Sequence, residues 1–118
     1  SVITVRFHVP VPPLAWDETL AEPAAWANGR GFEVRAGSTK VEIDSVDIER
    51  DAVRITCAGT PPATGLTVGY AMTAGPSQME NGSRAVRWGK LRDSDPFVGS
   101  TTGAANPNFA VAFEMRVP

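Results

Sequence analysis

Histidine and cysteine each occur once in this 118-residue chain, as His8 and Cys57. A Ser-His-acid triad needs a histidine within reach of both a nucleophile and an orienting acid. His8 shares its strand phase with Thr4 and Arg6, which places it on a polar, solvated face, and no Gly-x-Ser-x-Gly elbow is present. Zinc sites draw on several His or Cys ligands, so one of each in unrelated phases argues against zinc. Cys57 falls in the apolar phase of Val53 and Ile55, the position of a buried, inert thiol. A single cysteine also excludes an internal disulfide, which leaves the compartment open.

Paired carboxylates could serve glycoside hydrolysis, and the candidates are Asp17-Glu18, Glu42-Asp44 and Asp93-Asp95. Glu42 and Asp44 point out of one strand face, where charge solubilises. Asp93-Ser94-Asp95 has the spacing of an Asx turn or of a calcium corner built from oxygen ligands. Gly29-Arg30-Gly31 is not followed by a helical pattern, so it is no phosphate cradle. The expectation is a chain without catalytic residues or cofactor, with calcium at Asp93 and Asp95 as the weak metal candidate.

The aromatic residues carry the remaining signal. Trp16 and Trp26 sit in an irregular segment close to Asp17, Asn28 and Arg30. An indole can stack on the apolar face of a pyranose while amides and acids read its hydroxyls. Those five residues are the expected ligand-binding set. Trp side chains in a crossing loop also plug the open end of a sandwich, and the sequence leaves both roles open. Trp88, beside Arg87 and Lys90, reads as structural, with a cation stacked on it. Asn81-Gly82-Ser83 matches a glycosylation sequon that matters only in a secreted eukaryotic protein.

The elements that must position these residues have a period of two almost throughout. Ile3, Val5, Phe7 and Val9 alternate with polar residues until Pro10, Pro12 and Pro13 stop the strand. The pattern from Leu14 to Asn28 is irregular; Asp17 could cap one helical turn over Glu18 to Ala21, which Pro23 limits. Alternation restarts at Phe32. Val41 and Ile43 share one phase while Val46 and Ile48 share the other, a slip at Asp44-Ser45 that predicts a β-bulge. Further strands read at Val53–Cys57, Leu66–Met72, a short one at Val86–Trp88, and Phe109–Val117. The polar, glycine-containing stretches from Thr73 to Ser83 and from Asp93 to Asn108 read as long loops. About seven to eight short strands with frequent turns predict an all-β, antiparallel β-sandwich of immunoglobulin/fibronectin-like or jelly-roll type, with a barrel as the alternative.

Composition sets the outer bounds. Hydrophobic residues make up 42% and charged residues 20%, the balance of one ordinary folded domain spanning 1–118. A net charge of −2 gives no electrostatic case for nucleic acid or an anionic membrane. No run approaches the ~18 apolar residues of a membrane-spanning helix. The chain opens on a strand without an initiator methionine, so it is expected to be excised from the C-terminal end of a larger protein.

Two stretches resemble a known family. Ile3-Thr4-Val5-Arg6-Phe7-His8-Val9-Pro10-Val11-Pro12-Pro13-Leu14 resembles the strand that opens C-terminal β-domains following SGNH/GDSL-type hydrolase domains, found in bacterial and phage-encoded esterases and tail proteins. Val68-Gly69-Tyr70-Ala71-Met72, then Gly89-Lys90-Leu91-Arg92-Asp93-Ser94-Asp95-Pro96, is similar to the "YA…NLRDSDG" region of sialate O-acetylesterase-like enzymes, and Asn108 to Glu114 fits the same ending. Together these cover about a third of the chain. Lys90 departs from the pattern, where a small polar residue is usual, and so does the length of the Thr73–Ser83 stretch. The family's catalytic Ser, Asp and His belong to the preceding domain, and no position here matches them. The resemblance implies an accessory module, extracellular or virion-associated, attached to a preceding catalytic or fibre domain. Its expected partner is a glycan or polysaccharide, held by Trp16, Asp17, Trp26, Asn28 and Arg30. A structural domain that forms a homo-oligomer is the rival expectation.

Overall fold

The structure, a computed structural model, describes residues 1–18, 22–62, 64–72, 75–78, 84–87, 89–95 and 109–118. Along the described chain run β1 (Val2–Arg6), β2 (Ala15–Trp16), a 3-10 helix (Ala24–Gly29), β3 (Phe32–Ala36), β4 (Thr39–Val41) and β5 (Ile43–Glu49). They are followed by β6 (Ala52–Cys57), β7 (Leu66–Tyr70), β8 (Gly75–Gln78), β9 (Arg84–Arg87), β10 (Leu91–Arg92) and β11 (Phe113–Arg116). Two antiparallel sheets dominate, one ordered β1-β6-β5 and the other β11-β7-β3-β4. Two smaller strand pairs, β10-β2 and β8-β9, complete an all-β, sandwich-like fold.

Alternation builds the core directly. Val53 and Ile55 from the three-stranded sheet are fully buried against Val34, Val68 and Phe32 of the four-stranded one. The phase slip at Asp44 is a register break: Ile43 pairs with Cys57, yet Ser45 pairs with Thr56. The extra residue lets Val46 and Ile48 face inward opposite Ile55 and Val53. Cys57 is buried as expected, and His8 is exposed just beyond the end of β1.

Two-residue turns close the β3–β4 and β5–β6 hairpins, where Ala36 pairs with Thr39 and Glu49 with Ala52. Such turns favour positive φ at their first position. Gly37 meets this at φ 62°, whereas Arg50 adopts φ 57° despite its side chain.

Three sequence expectations change. The stretch Thr73–Ser83 is not one long loop, because Gly75–Gln78 pairs with Arg84–Arg87 in an antiparallel ribbon. Gly75 and Pro76 masked this strand, and a ribbon outside the main sheets tolerates proline where a central strand does not. The Leu14–Asn28 segment contains β2 and the 3-10 helix. That helical piece follows Pro23, whose φ of −59° leads the chain into it, while Thr19–Ala21 of the expected helical turn lie outside the described residues. The closing alternation is real, but Met115 is 62% exposed, because β11 lies at a sheet edge, and Val111, ahead of β11, is 79% exposed. Trp88, the Asn81-Gly82-Ser83 sequon and residues 96–108 lie outside the described residues.

Candidate functional site

One end of the sandwich is closed by the 3-10 helix, which packs against β5. Glu42 is the single residue that carries the chain from β4 in one sheet to β5 in the other. The helix is kinked: Ala27 takes φ 48° and ψ −128°, and Arg30 behind it is left-handed at φ 51°. A non-glycine residue in that region costs on the order of 1–3 kcal/mol, and such strain collects at functional sites. The kink drives Trp26 inward, to 8% exposure, while Asn28 stays exposed.

A groove of about 280 Å³ opens between the helix and the β4–β5 crossing. Phe32, Val41 and Ile43 supply apolar surface, Trp26 forms a wall, and Asn28, Lys40 and Glu42 contribute polar groups. The indole Nε1 of Trp26 is buried and has no hydrogen-bond acceptor. Leaving a buried donor unsatisfied costs about 1–3 kcal/mol.

Next to this groove lies a charged cluster around Trp16. β2 pairs with β10, setting Trp16 opposite Leu91, and Asp17 N–H donates to the Lys90 carbonyl at 2.8 Å. The Arg30 guanidinium stacks 4.2 Å above the Trp16 ring, and the ring meets Phe32 edge-on at 6.5 Å. Arg30 also pairs with Glu22 at 2.8 Å and Glu18 at 3.3 Å. The Lys90 ammonium, its side chain only 5% exposed, faces the same two carboxylates at 3.6 and 3.8 Å. Two cations and two anions thus hold β2, β10 and the helix end together.

The five expected ligand-binding residues therefore divide. Trp26 and Asn28 line the groove. Trp16 and Arg30 cover each other, so that face of the Trp16 ring is closed to a stacking sugar. Asp17 is anchored beside them through its backbone. Phe32 joins the two places, since it lies in the groove and against the Trp16 edge. Sequence reasoning missed Lys40 and Glu42 as groove residues and Lys90 as a buried cation. The phase slip lies within β5 and marks its bulge, so it gave no sign of the change of sheet at Glu42.

Asp93 and Asp95 form a turn. The buried Asp93 accepts the Asp95 N–H on Oδ1 at 3.1 Å, while Ser94 donates from Oγ to the Pro13 carbonyl at 2.6 Å. Among the described residues no group of three or more His, Cys, Asp or Glu side chains is arranged to hold a metal ion. Tyr70 and the Gly89–Asp95 stretch, distant along the chain, meet in space: Leu91 N–H donates to the Tyr70 hydroxyl at 3.0 Å.

No protein-family model, characterised protein or solved structure matches the chain. Among the described residues, no helix is long and apolar enough to cross a membrane.

Proposed function

We propose that this domain is a non-catalytic carbohydrate-binding or substrate-positioning module, of the kind attached to a glycan-active esterase or a phage receptor-binding protein. The observation that carries the reading is the groove beside Trp26. It combines apolar surface from Phe32, Val41 and Ile43 with polar groups from Asn28, Lys40 and Glu42 and a buried, unsatisfied indole N–H. A pyranose has the same division, with apolar C–H faces and a rim of hydroxyls that both donate and accept. The volume lies just below the ~300 Å³ at which small-molecule sites begin, which suits one sugar ring. A hydroxyl oxygen that accepts from the Trp26 N–H would offset part of the orphan's cost. The proposal assigns the chain no bond-breaking step.

Binding of this kind is weak, about 4 kcal/mol for a dissociation constant near ~1 mM. Tethering to a polymer-directed partner domain makes weak binding sufficient, because the second encounter becomes intramolecular. The test is a saccharide titration followed by the indole N–H resonance of Trp26. Binding moves that resonance, and Asn28→Ala or Glu42→Ala weakens it while Trp16→Phe leaves it nearly unchanged. An unmoved Trp26 signal across a panel of neutral and acidic saccharides refutes the proposal. A structural or oligomerisation role is a second reading, favoured by the exposed Met115 and Val111 at the opposite edge of the molecule.

A further inference from the structure

We propose that the outer edge of β11 pairs with the same edge of a second copy, forming a two-fold dimer centred on Met115. Among the described strands β11 is the edge of its sheet, with β7 on its inner side. Phe113 pairs with Tyr70 and Met115 with Val68, and Val117 N–H donates to the Leu66 carbonyl at 2.9 Å. In an antiparallel ladder residues alternate in the direction of their backbone groups. Phe113, Met115 and Val117 therefore turn theirs toward β7, while Glu114 and Arg116 present theirs outward. The side chains alternate as well: Phe113 and Met115 share the face of Val68 and Tyr70, and Glu114 and Arg116 lie on the outer face.

Those alternations select one register. Shifting by a single residue would set outward backbone groups against inward ones and an apolar face against a polar face. Of the remaining two-fold registers, centring on Glu114 or Arg116 opposes like charges directly. Centring on Phe113 sets both charges against alanines, Ala112 and Ala110. Centring on Met115 places Glu114 opposite the partner's Arg116, and by symmetry Arg116 opposite the partner's Glu114, both as hydrogen-bonded pairs. The central methionines meet in a non-hydrogen-bonded pair, where side chains approach closely, and Phe113 meets the partner's Val117. The strand is self-complementary in charge, in hydrogen bonding and in apolar surface, as a two-fold interface requires.

Two observations support this edge as a pairing surface. Met115 is 62% exposed although it lies on the core face, and residues 113–116 contain no lysine, proline or bulge of the kind that blunts free edges. A groove of about 160 Å³ runs between β11 and the β1 edge of the facing sheet, with Ile3, Val5, Phe113 and Met115 among its lining. The second copy's Met115, projecting on that same face, lies at its mouth. The dimer joins two four-stranded sheets into one of eight strands and is independent of saccharide binding at the opposite end.

Sedimentation from low micromolar to millimolar chain concentration tests the proposal with a charge swap. The unmodified chain shows a monomer–dimer equilibrium. Glu114→Arg sets arginine against arginine twice and weakens dimerisation by about tenfold or more. Adding Arg116→Glu to that variant restores the opposite-charge pairs and returns the dissociation constant to near its original value. Both positions are exposed, so the fold survives each change, and an unaltered far-ultraviolet spectrum checks that. A chain that stays monomeric to millimolar concentration overturns the proposal. So does a dimer indifferent to the single reversal, or one that the double exchange fails to restore.

Discussion

The phenol of Tyr70 is 1% exposed, and the amide of Leu91 donates to it from 3.0 Å. Its ring packs 4.8 Å from Phe32 and is stacked with Phe113 at 6.1 Å, so one side chain links β3, β7, β10 and β11. Gly89 is what lets it lie there, because a Cβ at that position would collide with the Tyr70 hydroxyl and ring carbons. The two positions make opposite errors possible. Tyr70→Phe keeps the ring but leaves the Leu91 N–H without this acceptor, a loss of about 1–3 kcal/mol. Gly89→Ala keeps the hydroxyl but pushes the ring off its seat, and overpacking of a tight core costs about 1–3 kcal/mol. Urea unfolding of both variants and of the double variant is the check. The ring relaxes more easily once its hydroxyl is gone, so the double variant loses less than the two single losses added together. Strict additivity would show that Gly89 and Tyr70 do not share a contact.

Among the elements, the charged cluster that ties β2 and β10 to the 3-10 helix is asymmetric. Lys90 is buried, whereas Glu18 is 73% and Glu22 30% exposed at the side chain. Taking away the cation leaves two carboxylates that reach water and Arg30; taking away both carboxylates leaves an ammonium with little solvent. Lys90→Met therefore costs about 1 kcal/mol or less, while Glu18→Gln with Glu22→Gln costs up to ~3 kcal/mol, both read from chemical denaturation. The reverse order would mean that the cluster is held by the lysine stem and not by charge. Elements with clean alternation were legible before any coordinates: β1, β6, β7, the bulge in β5 and the closing strand each follow from apolar spacing. β8 was not, since Gly75 and Pro76 read as loop, and the 3-10 helix was not, since one short turn is fixed by packing on β5. At the site, Trp26 and Asn28 were legible as residue types suited to a sugar. That Arg30 closes a face of Trp16 was not, because it depends on a left-handed backbone at Arg30 and on the Glu22 partner. The contribution of Lys40 and Glu42 depends on where the chain changes sheets, a tertiary fact.

For the molecule as a whole, the two sheets each bury one weak acid, and together these set how stability responds to alkali. Burial pushes the Tyr70 phenol above its ordinary 10.0, against the opposing pull of hydrogen bonds from the Leu91 and Lys90 amides. Burial likewise pushes the Cys57 thiol above 9.0; the amino terminus opposes this and Asp44 adds to it. Both groups hold their protons in the folded state at a pH where the unfolded chain has released them, so unfolding is drawn forward as pH rises. The stabilisation is complete below about pH 9, begins to fall there with the thiol, falls further from about pH 10 with the phenol, and is lost through the folded-state values. Denaturation between about pH 8 and about pH 11 should show this decline, with Cys57→Ala removing its earlier part and Tyr70→Phe its later part. Because Tyr70 is the single tyrosine, its phenolate absorbance reports on one site without ambiguity. In the native protein that absorbance lags behind the denatured chain, then rises together with global unfolding. A phenolate that appears near pH 10 in a still-folded chain would mean that water reaches the Tyr70 hydroxyl and that the seam between β7 and β10 opens without the rest of the sandwich.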